Sequence, residues 1–155
     1  MLSSGRRRQV GKPRVLIFDD NVGIVKALEE FLRNRGYEVF SFTEPVLCPL
    51  YQGYEDKCDK LLPCADIIIT DFKMPRMTGM ELLQRQSERG CKLDIRNKAV
   101  MSASMHGENE KIIKDSGCEF LHKSALVPEL LEWLSEREKH FDLTRPLGDP
   151  DSVFS

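Results

Sequence analysis

Asp19, Asp20, Asp71, Ser102 and Lys123 are the residues whose types and placement could do chemistry together. Asp19 and Asp20 follow the apolar run Arg14-Val15-Leu16-Ile17-Phe18, and Asp71 follows Asp66-Ile67-Ile68-Ile69-Thr70. Ser102 closes a run that starts at Lys98, and Lys123 follows Glu119-Phe120-Leu121-His122. Each stands where a short apolar segment stops. A single aspartate in such a place is usually a turn or cap residue, and a single lysine is usually solvated. Together they mean more. Three carboxylates brought close repel one another, and a proton or a bound cation must relieve that cost. Ligands that are all oxygen select a hard ion, and Mg²⁺ fits best because it keeps several waters and leaves positions for a phosphoryl oxygen.

The elements that position these residues are legible in the hydrophobic pattern. Arg14 to Phe18 is apolar, rich in branched residues and stops abruptly, as a strand buried on both faces does. Ile24, Leu28 and Phe31, with Val25 and Leu32 beside them, then recur at helical spacing until Gly36. Tyr37 to Phe42 predicts a second strand, Asp66 to Thr70 a third ending at Asp71, Lys98 to Ser102 a fourth and Glu119 to His122 a fifth. Helical patterns run over Gly79–Arg89, Glu108–Ser116 and Pro128–Lys139. The interval from Pro45 to Cys64, broken by Pro49, Gly53 and Pro63, predicts a distorted helix plus a loop. Alternating strands and helices imply parallel strands, right-handed crossovers and helices on both faces of the sheet. In such sheets ligands bind beyond the carboxyl ends of the strands, where all five candidate residues fall.

Several function classes are excluded. The loop Asp19-Asp20-Asn21-Val22-Gly23 matches neither G-x-G-x-x-G nor the P-loop pattern, so the backbone cradle for a nucleotide's phosphates is missing. An acidic loop would also repel a flavin phosphate. The 155 residues carry 25 acidic and 23 basic side chains, net charge -2, which gives no basic field for nucleic acid or an anionic membrane. No apolar run approaches the ~18–20 residues of a membrane span, and Met1 to Arg8 lacks the apolar stretch of a secretion signal, so a cytoplasmic location is expected. Cys48, Cys58, Cys64, Cys91 and Cys118 are odd in number and form no C-x-x-C pair, which points to reduced thiols rather than disulfides or zinc. Residues 1–11, with Arg6-Arg7-Arg8, and 141–155, with Pro146, Gly148 and Pro150, are expected to be flexible tails around a folded unit at 12–140.

With those residues in view, the chain resembles the receiver domain of two-component response regulators, of the chemotaxis-regulator type, from about Lys12 to Lys139. The resemblance rests on Val15-Leu16-Ile17-Phe18-Asp19-Asp20-Asn21, on Asp71-Phe72-Lys73-Met74-Pro75-Arg76-Met77-Thr78-Gly79-Met80-Glu81, on Val100-Met101-Ser102-Ala103, and on Lys123. It implies a flavodoxin-like doubly wound α/β fold with a five-stranded parallel sheet in the order 2-1-3-4-5. It implies further that Asp71 accepts a phosphoryl group from a histidine-kinase phosphohistidine. Asp20, Asp71 and the backbone carbonyl of Lys73 would hold Mg²⁺, with Asp19 assisting through water. Lys123 would pair with the phosphoryl oxygens, Ser102 would be the switch hydroxyl, and Phe120 the aromatic whose rotamer reports activation. Ser102 turning inward would vacate space that Phe120 can fill, altering the surface of the fourth helix, fifth strand and fifth helix.

The partners implied are a sensor histidine kinase or phosphotransfer protein and a downstream protein target or fused output domain; a homodimer is compatible, and direct nucleic-acid or membrane binding is not expected. On this reading the chain is a signalling phospho-acceptor and not an enzyme on other substrates. Its competitors are a pseudo-receiver that binds partners without phosphorylation and, less well supported, an aspartyl-nucleophile phosphatase, which usually carries D-x-D where this chain has Asp19-Asp20. Ser124 stands where receivers usually have proline after the lysine. A cis peptide before serine would cost about 2.5–4 kcal/mol, so a trans bond and an altered loop are expected there. The Phe42–Asp66 interval is long for the family, which suggests an insertion.

Overall fold

The computed structural model describes residues 5–6, 12–43, 61–74, 77–103 and 108–148. Its strands are β1 (Arg14–Phe18), β2 (Glu38–Phe42), β3 (Ile67–Asp71), β4 (Lys98–Ser102) and β5 (Glu119–His122). Its helices are α1 (Val22–Asn34), α2 (Gly79–Glu88), α3 (Glu108–Asp115) and α4 (Leu126–Arg137). The strands are parallel and lie side by side as β2-β1-β3-β4-β5, the expected 2-1-3-4-5 order.

All residues of β1, β3 and β4 are buried, as central strands covered on both faces must be. Alternate residues feed opposite layers. Val15, Ile17, Ile69 and Met101 belong to the cluster that contains Leu28 and Leu32 of α1 and Leu130 and Leu134 of α4. On the other side Val100 and Phe120 pack with Leu83 of α2 and Ile113 of α3, while Leu16, Phe18 and Ile68 meet Leu93.

Local chemistry fixes the boundaries. Asn21 Oδ1 accepts the Ile24 N–H at 3.1 Å and caps α1. Thr78 and Glu81 form a reciprocal capping box at the start of α2. The third strand ends at Asp71, as expected, with Asp71 in register with Met101 of β4. The last helix starts two residues earlier than expected, since Pro128 sits in its first turn, where its missing N–H leaves no bond unmade. The Lys123–Ser124 bond is trans, as expected: no cis peptide occurs among the described residues. Lys123–Ala125 form a short 3₁₀ turn leading into α4.

The carboxy-terminal stretch departs from the expectation of a free tail. Leu147–Gly148 pairs antiparallel with Gly5–Arg6, and Leu147 is fully buried. The physical reason is hydrogen bonding to the amino ends of the strands: Gly148 N–H donates to Pro63 O at 2.8 Å, and Gly148 O accepts from Arg14 Nη1 at 2.8 Å. The distorted helix expected after Pro45 falls mainly on residues 44–60, outside the described residues, together with Cys48 and Cys58.

Candidate functional site

The parallel register delivers the predicted acids to one place. Asp19 and Asp20 leave β1, Asp71 ends β3, and one carboxylate oxygen from each lies within 4.8 Å of the others. Asp19 and Asp71 are buried and Asp20 is exposed, so the cluster opens to solvent on one side. The Asn21 N–H donates to Asp19 Oδ1 at 2.9 Å. Lys123, projecting from the end of β5, places Nζ 3.0 Å from Asp19 Oδ2 and 3.1 Å from Asp71 Oδ1.

These charges perturb one another. Burial raises the Asp71 carboxyl above its ordinary value; the Lys123 hydrogen bond opposes that shift and the Asp19 charge adds to it. Burial works against the Lys123 ammonium, but its bonds to Asp19 and Asp71 prevail and its pKa rises. The ammonium therefore stays charged beside two carboxylates.

The donor set suits a hard divalent cation. Among the described residues three carboxylates face one ammonium, and the buried Asp19 Oδ2 has that ammonium, at 3.0 Å, as its one partner. A dry carboxylate oxygen in that condition is costly unless an ion or water completes its coordination. Lys73 lies two residues beyond Asp71 on the loop toward α2, with an exposed side chain.

The loop after β3 must pass very close to the acid. A Cβ on Gly79 would stand 2.4 Å from the Asp71 backbone oxygen and 3.0 Å from Thr70 Cγ2, so only glycine lets α2 start there. Gly79 N–H donates to Phe72 O at 2.7 Å, and Phe72 N–H to Met101 O at 2.9 Å. Asp71 is thus held from both flanks.

Ser102 is buried at the end of β4. Phe120 is buried, 3% exposed, against Leu83, Val100, Ile113 and Cys118. Its partner across the ladder is Val100, whereas Ser102 pairs with His122. His122 is the residue that the sequence did not single out. Its Nε2 lies 3.1 Å from Glu110 of α3, its Nδ1 3.1 Å from both carboxylate oxygens of Glu129 of α4, and its ring meets Phe120 edge to face. The available signal was the adjacency of His122 to Lys123; Glu110 and Glu129 lie too far off in sequence to be paired with it by spacing alone.

Comparison with known proteins agrees with this geometry. The profile of the response regulator receiver domain matches residues 15–135. A two-component response regulator of Oryza sativa subsp. japonica is 32% identical over 120 residues, covering 76% of this chain and 19% of that protein. Hybrid signal transduction histidine kinase C of Dictyostelium discoideum is 29% identical over 127 residues, covering 77% of this chain and 10% of the kinase. The chain therefore spans about a fifth or less of the length of these relatives. Among solved structures, a response regulator receiver protein from Pseudomonas putida superposes with TM-score 0.60 and 27% identity, covering 83% of this chain and 99% of that one. The Francisella response regulator 1452 receiver domain gives 0.63 at 21% identity, over 83% and 98%.

Proposed function

Since this chain belongs to the response regulator receiver domain family, we propose that it is a phosphorylation-dependent switch in which Asp71 accepts a phosphoryl group from a phosphohistidine. The observation that carries this reading is the Lys123 ammonium, held at 3.0 and 3.1 Å from two members of the acidic cluster. A carboxylate is a poor nucleophile toward an anionic phosphoryl group, so catalysis must come from positioning and charge compensation. Asp71 attacks phosphorus in line; an O–P bond forms, the donor's N–P bond breaks, and the departing imidazole is protonated from solvent. Lys123 moves from carboxylate to phosphoryl oxygen, where its charge is worth most.

Asp20, Asp71 and the Lys73 carbonyl would hold Mg²⁺, with Asp19 assisting through water. When bound, the ion supplies charge compensation for the incoming phosphoryl oxygens. Asp19 meanwhile keeps the Lys123 ammonium in place, and Gly79 keeps Asp71 from being displaced by a side chain. The kinase or phosphotransfer protein would approach from the side on which Asp20 is exposed.

Readout follows from the ladder. Ser102 turning toward a phosphoryl group on Asp71 shifts the end of β4, and its ladder partner His122 bridges α3 and α4. The surface of α3, β5 and α4 then changes through the His122 bridge, with Phe120 as the buried packing that the bridge rests on.

The test is acetyl phosphate or beryllofluoride with and without Mg²⁺, followed by intact mass and by NMR of the His122 and Phe120 rings. Metal-dependent labelling on Asp71, with both rings perturbed, is expected. No labelling and no spectral change at saturating reagent would make the chain a pseudo-receiver, and sustained turnover of a phosphomonoester would make it a phosphatase.

A further inference from the structure

Lys98 and Cys91 form a pair that the phosphoryl site does not use. Lys98 opens β4 and is fully buried, with Nζ 2.8 Å from Gln86 Oε1 and 3.2 Å from Cys91 Sγ. Among the described residues no carboxylate lies within ion-pair distance of it. A buried ammonium without an anion is costly. The sulfur can supply the missing charge: moving one proton from Cys91 to Lys98 gives a thiolate beside an ammonium, and moving it back gives a thiol beside an amine. Each form contains a nucleophile.

The surroundings fix the pair in place. Gln86, itself buried, accepts the Cys91 N–H on its backbone oxygen at 2.9 Å and the Lys98 ammonium on its side-chain oxygen. Gly90, at φ +86° and with open space around it, turns the chain so that Cys91 comes back under the end of α2. Cys91 is partly exposed while Lys98 is dry. A small oxidant can therefore reach the sulfur, and water has poor access to the amine.

We propose that Cys91 and Lys98 are a peroxide-driven, reversible cross-linking site. The thiolate attacks one oxygen of a hydroperoxide; the O–O bond breaks, Cys91 becomes a sulfenic acid, and the leaving hydroxide takes a proton from the Lys98 ammonium to form water. The neutral Lys98 amine then attacks the sulfenyl sulfur. An S–N bond forms, the S–O bond breaks, and a second water departs with one amine proton. Overall thiol, amine and hydrogen peroxide give a sulfenamide and two waters; the sulfur pair loses two electrons, the peroxide gains them, and the protein loses two hydrogens. An added thiol attacks the sulfur, breaking the S–N bond, giving its proton to the departing amine and leaving a mixed disulfide on Cys91; a second thiol then displaces the first as a disulfide and restores the Cys91 thiol. The linkage ties the end of α2 to the start of β4, the strand whose far end carries Ser102.

The test is brief exposure of the full chain to sub-millimolar hydrogen peroxide, then proteolysis and mass spectrometry. The expected result is a peptide joining Cys91 to Lys98, lighter by two hydrogens than the sum of its parts, removed by dithiothreitol and absent from Cys91→Ser. In Lys98→Met, Cys91 should still oxidise but stop at sulfenic or sulfinic acid without a cross-link; should that variant fail to fold, Lys98→Arg serves the same comparison. Cys91 driven to sulfinic acid in the unsubstituted protein with Lys98 still free would overturn the proposal, as would an untouched Cys91 while Cys64 or Cys118 reacts. Acetyl phosphate labelling of Asp71, run on the same untreated samples, reports on the receiver reading separately.

Discussion

At the amino ends of the strands Arg14 is closed in on several sides, whereas at the carboxyl ends Lys123 faces a surplus of carboxylates among the described residues. The Arg14 Nε donates to Glu38 at 2.8 Å, its Nη1 donates to the carbonyls of Cys64 and Gly148, and the Phe40 ring lies 5.5 Å from its guanidinium carbon. Its backbone N–H donates to Asp66 at 2.8 Å. Lys123 instead shares three donors between two carboxylates while a third waits in solvent. Both cations are substantially buried, but Arg14 spends Nε and Nη1 on fixed protein acceptors, with Nη2 buried and unpartnered, whereas among the described residues the acidic end sets three carboxylates against one ammonium. A buried cation held by fixed protein acceptors sets register; a cluster with surplus carboxylates is stabilised by a cation that offsets them.

Substitutions at the two ends should separate along that line. The largest effect is expected from Asp71→Asn, which removes the nucleophile, keeps the shape and relieves repulsion with Asp19: labelling by acetyl phosphate falls to background in intact-mass spectra, while the melting temperature holds or rises. A folded Asp71→Asn that still takes up a stable phosphoryl group would break the comparison at its acidic end. Arg14→Ala should do the reverse, lowering the unfolding free energy by about 3–5 kcal/mol because a carboxylate and two carbonyls lose a buried donor. Urea denaturation measures that loss, and the fraction still folded should label at the parental rate. If labelling per folded molecule fell with stability, the two ends would not be independent.

A smaller effect is expected of Mg²⁺. Ion at tenfold over its dissociation constant adds about 1.4 kcal/mol, a rise of a few degrees in melting temperature, and Asp20→Ala should remove most of it. The same ion should leave the urea midpoint difference between Arg14→Ala and its parent unchanged. A melting curve unmoved by millimolar Mg²⁺ would remove the premise that a cation offsets the surplus carboxylates at the acidic end.

The smallest effect concerns His122, at the rim of the acidic end. The Glu129 hydrogen bond raises its pKa above 6.5, against some cost of burial and with further help from Glu110. The folded state thus holds that proton more tightly than the unfolded chain. Its contribution is complete below the ordinary histidine value and is lost as pH climbs through the raised one. His122→Gln should flatten that part of the melting temperature against pH profile. An unchanged slope would mean that another group titrates there.

What was legible in the sequence follows the same division. Strand ends, helical spacing and the acidic loop are written locally: Phe18 to Asp19-Asp20 announces where β1 stops, and the pattern over Gly79–Arg89 announces α2. The parallel order brought Asp19, Asp71 and Lys123 together because strand polarity alone sends all carboxyl ends to one side. Contacts distant in sequence were not legible. Nothing near Gly148 says that its carbonyl meets Arg14, 134 residues away. The His122 bridge needed the positions of two helices, and the burial of Phe120 depended on how tightly α2 and α3 close over β4 and β5. Alternation says which face a residue takes, not how much room it finds there.

The short ladder between Gly5–Arg6 and Leu147–Gly148 also decides how the domain would bear a mechanical load. Gly5 faces Gly148 and Arg6 faces Leu147, so a pull applied outward at Gly5 and Gly148 parts the two segments from their adjacent tips, one rung at a time. Peeling meets the hydrogen bonds in succession and needs little force. The parallel sheet carries none of that tension until Leu147 leaves its buried seat and the Gly148 carbonyl leaves Arg14. The clasp would therefore act as a fuse, opening under strain and closing again when it is released, before the acidic end of the sheet feels any pull.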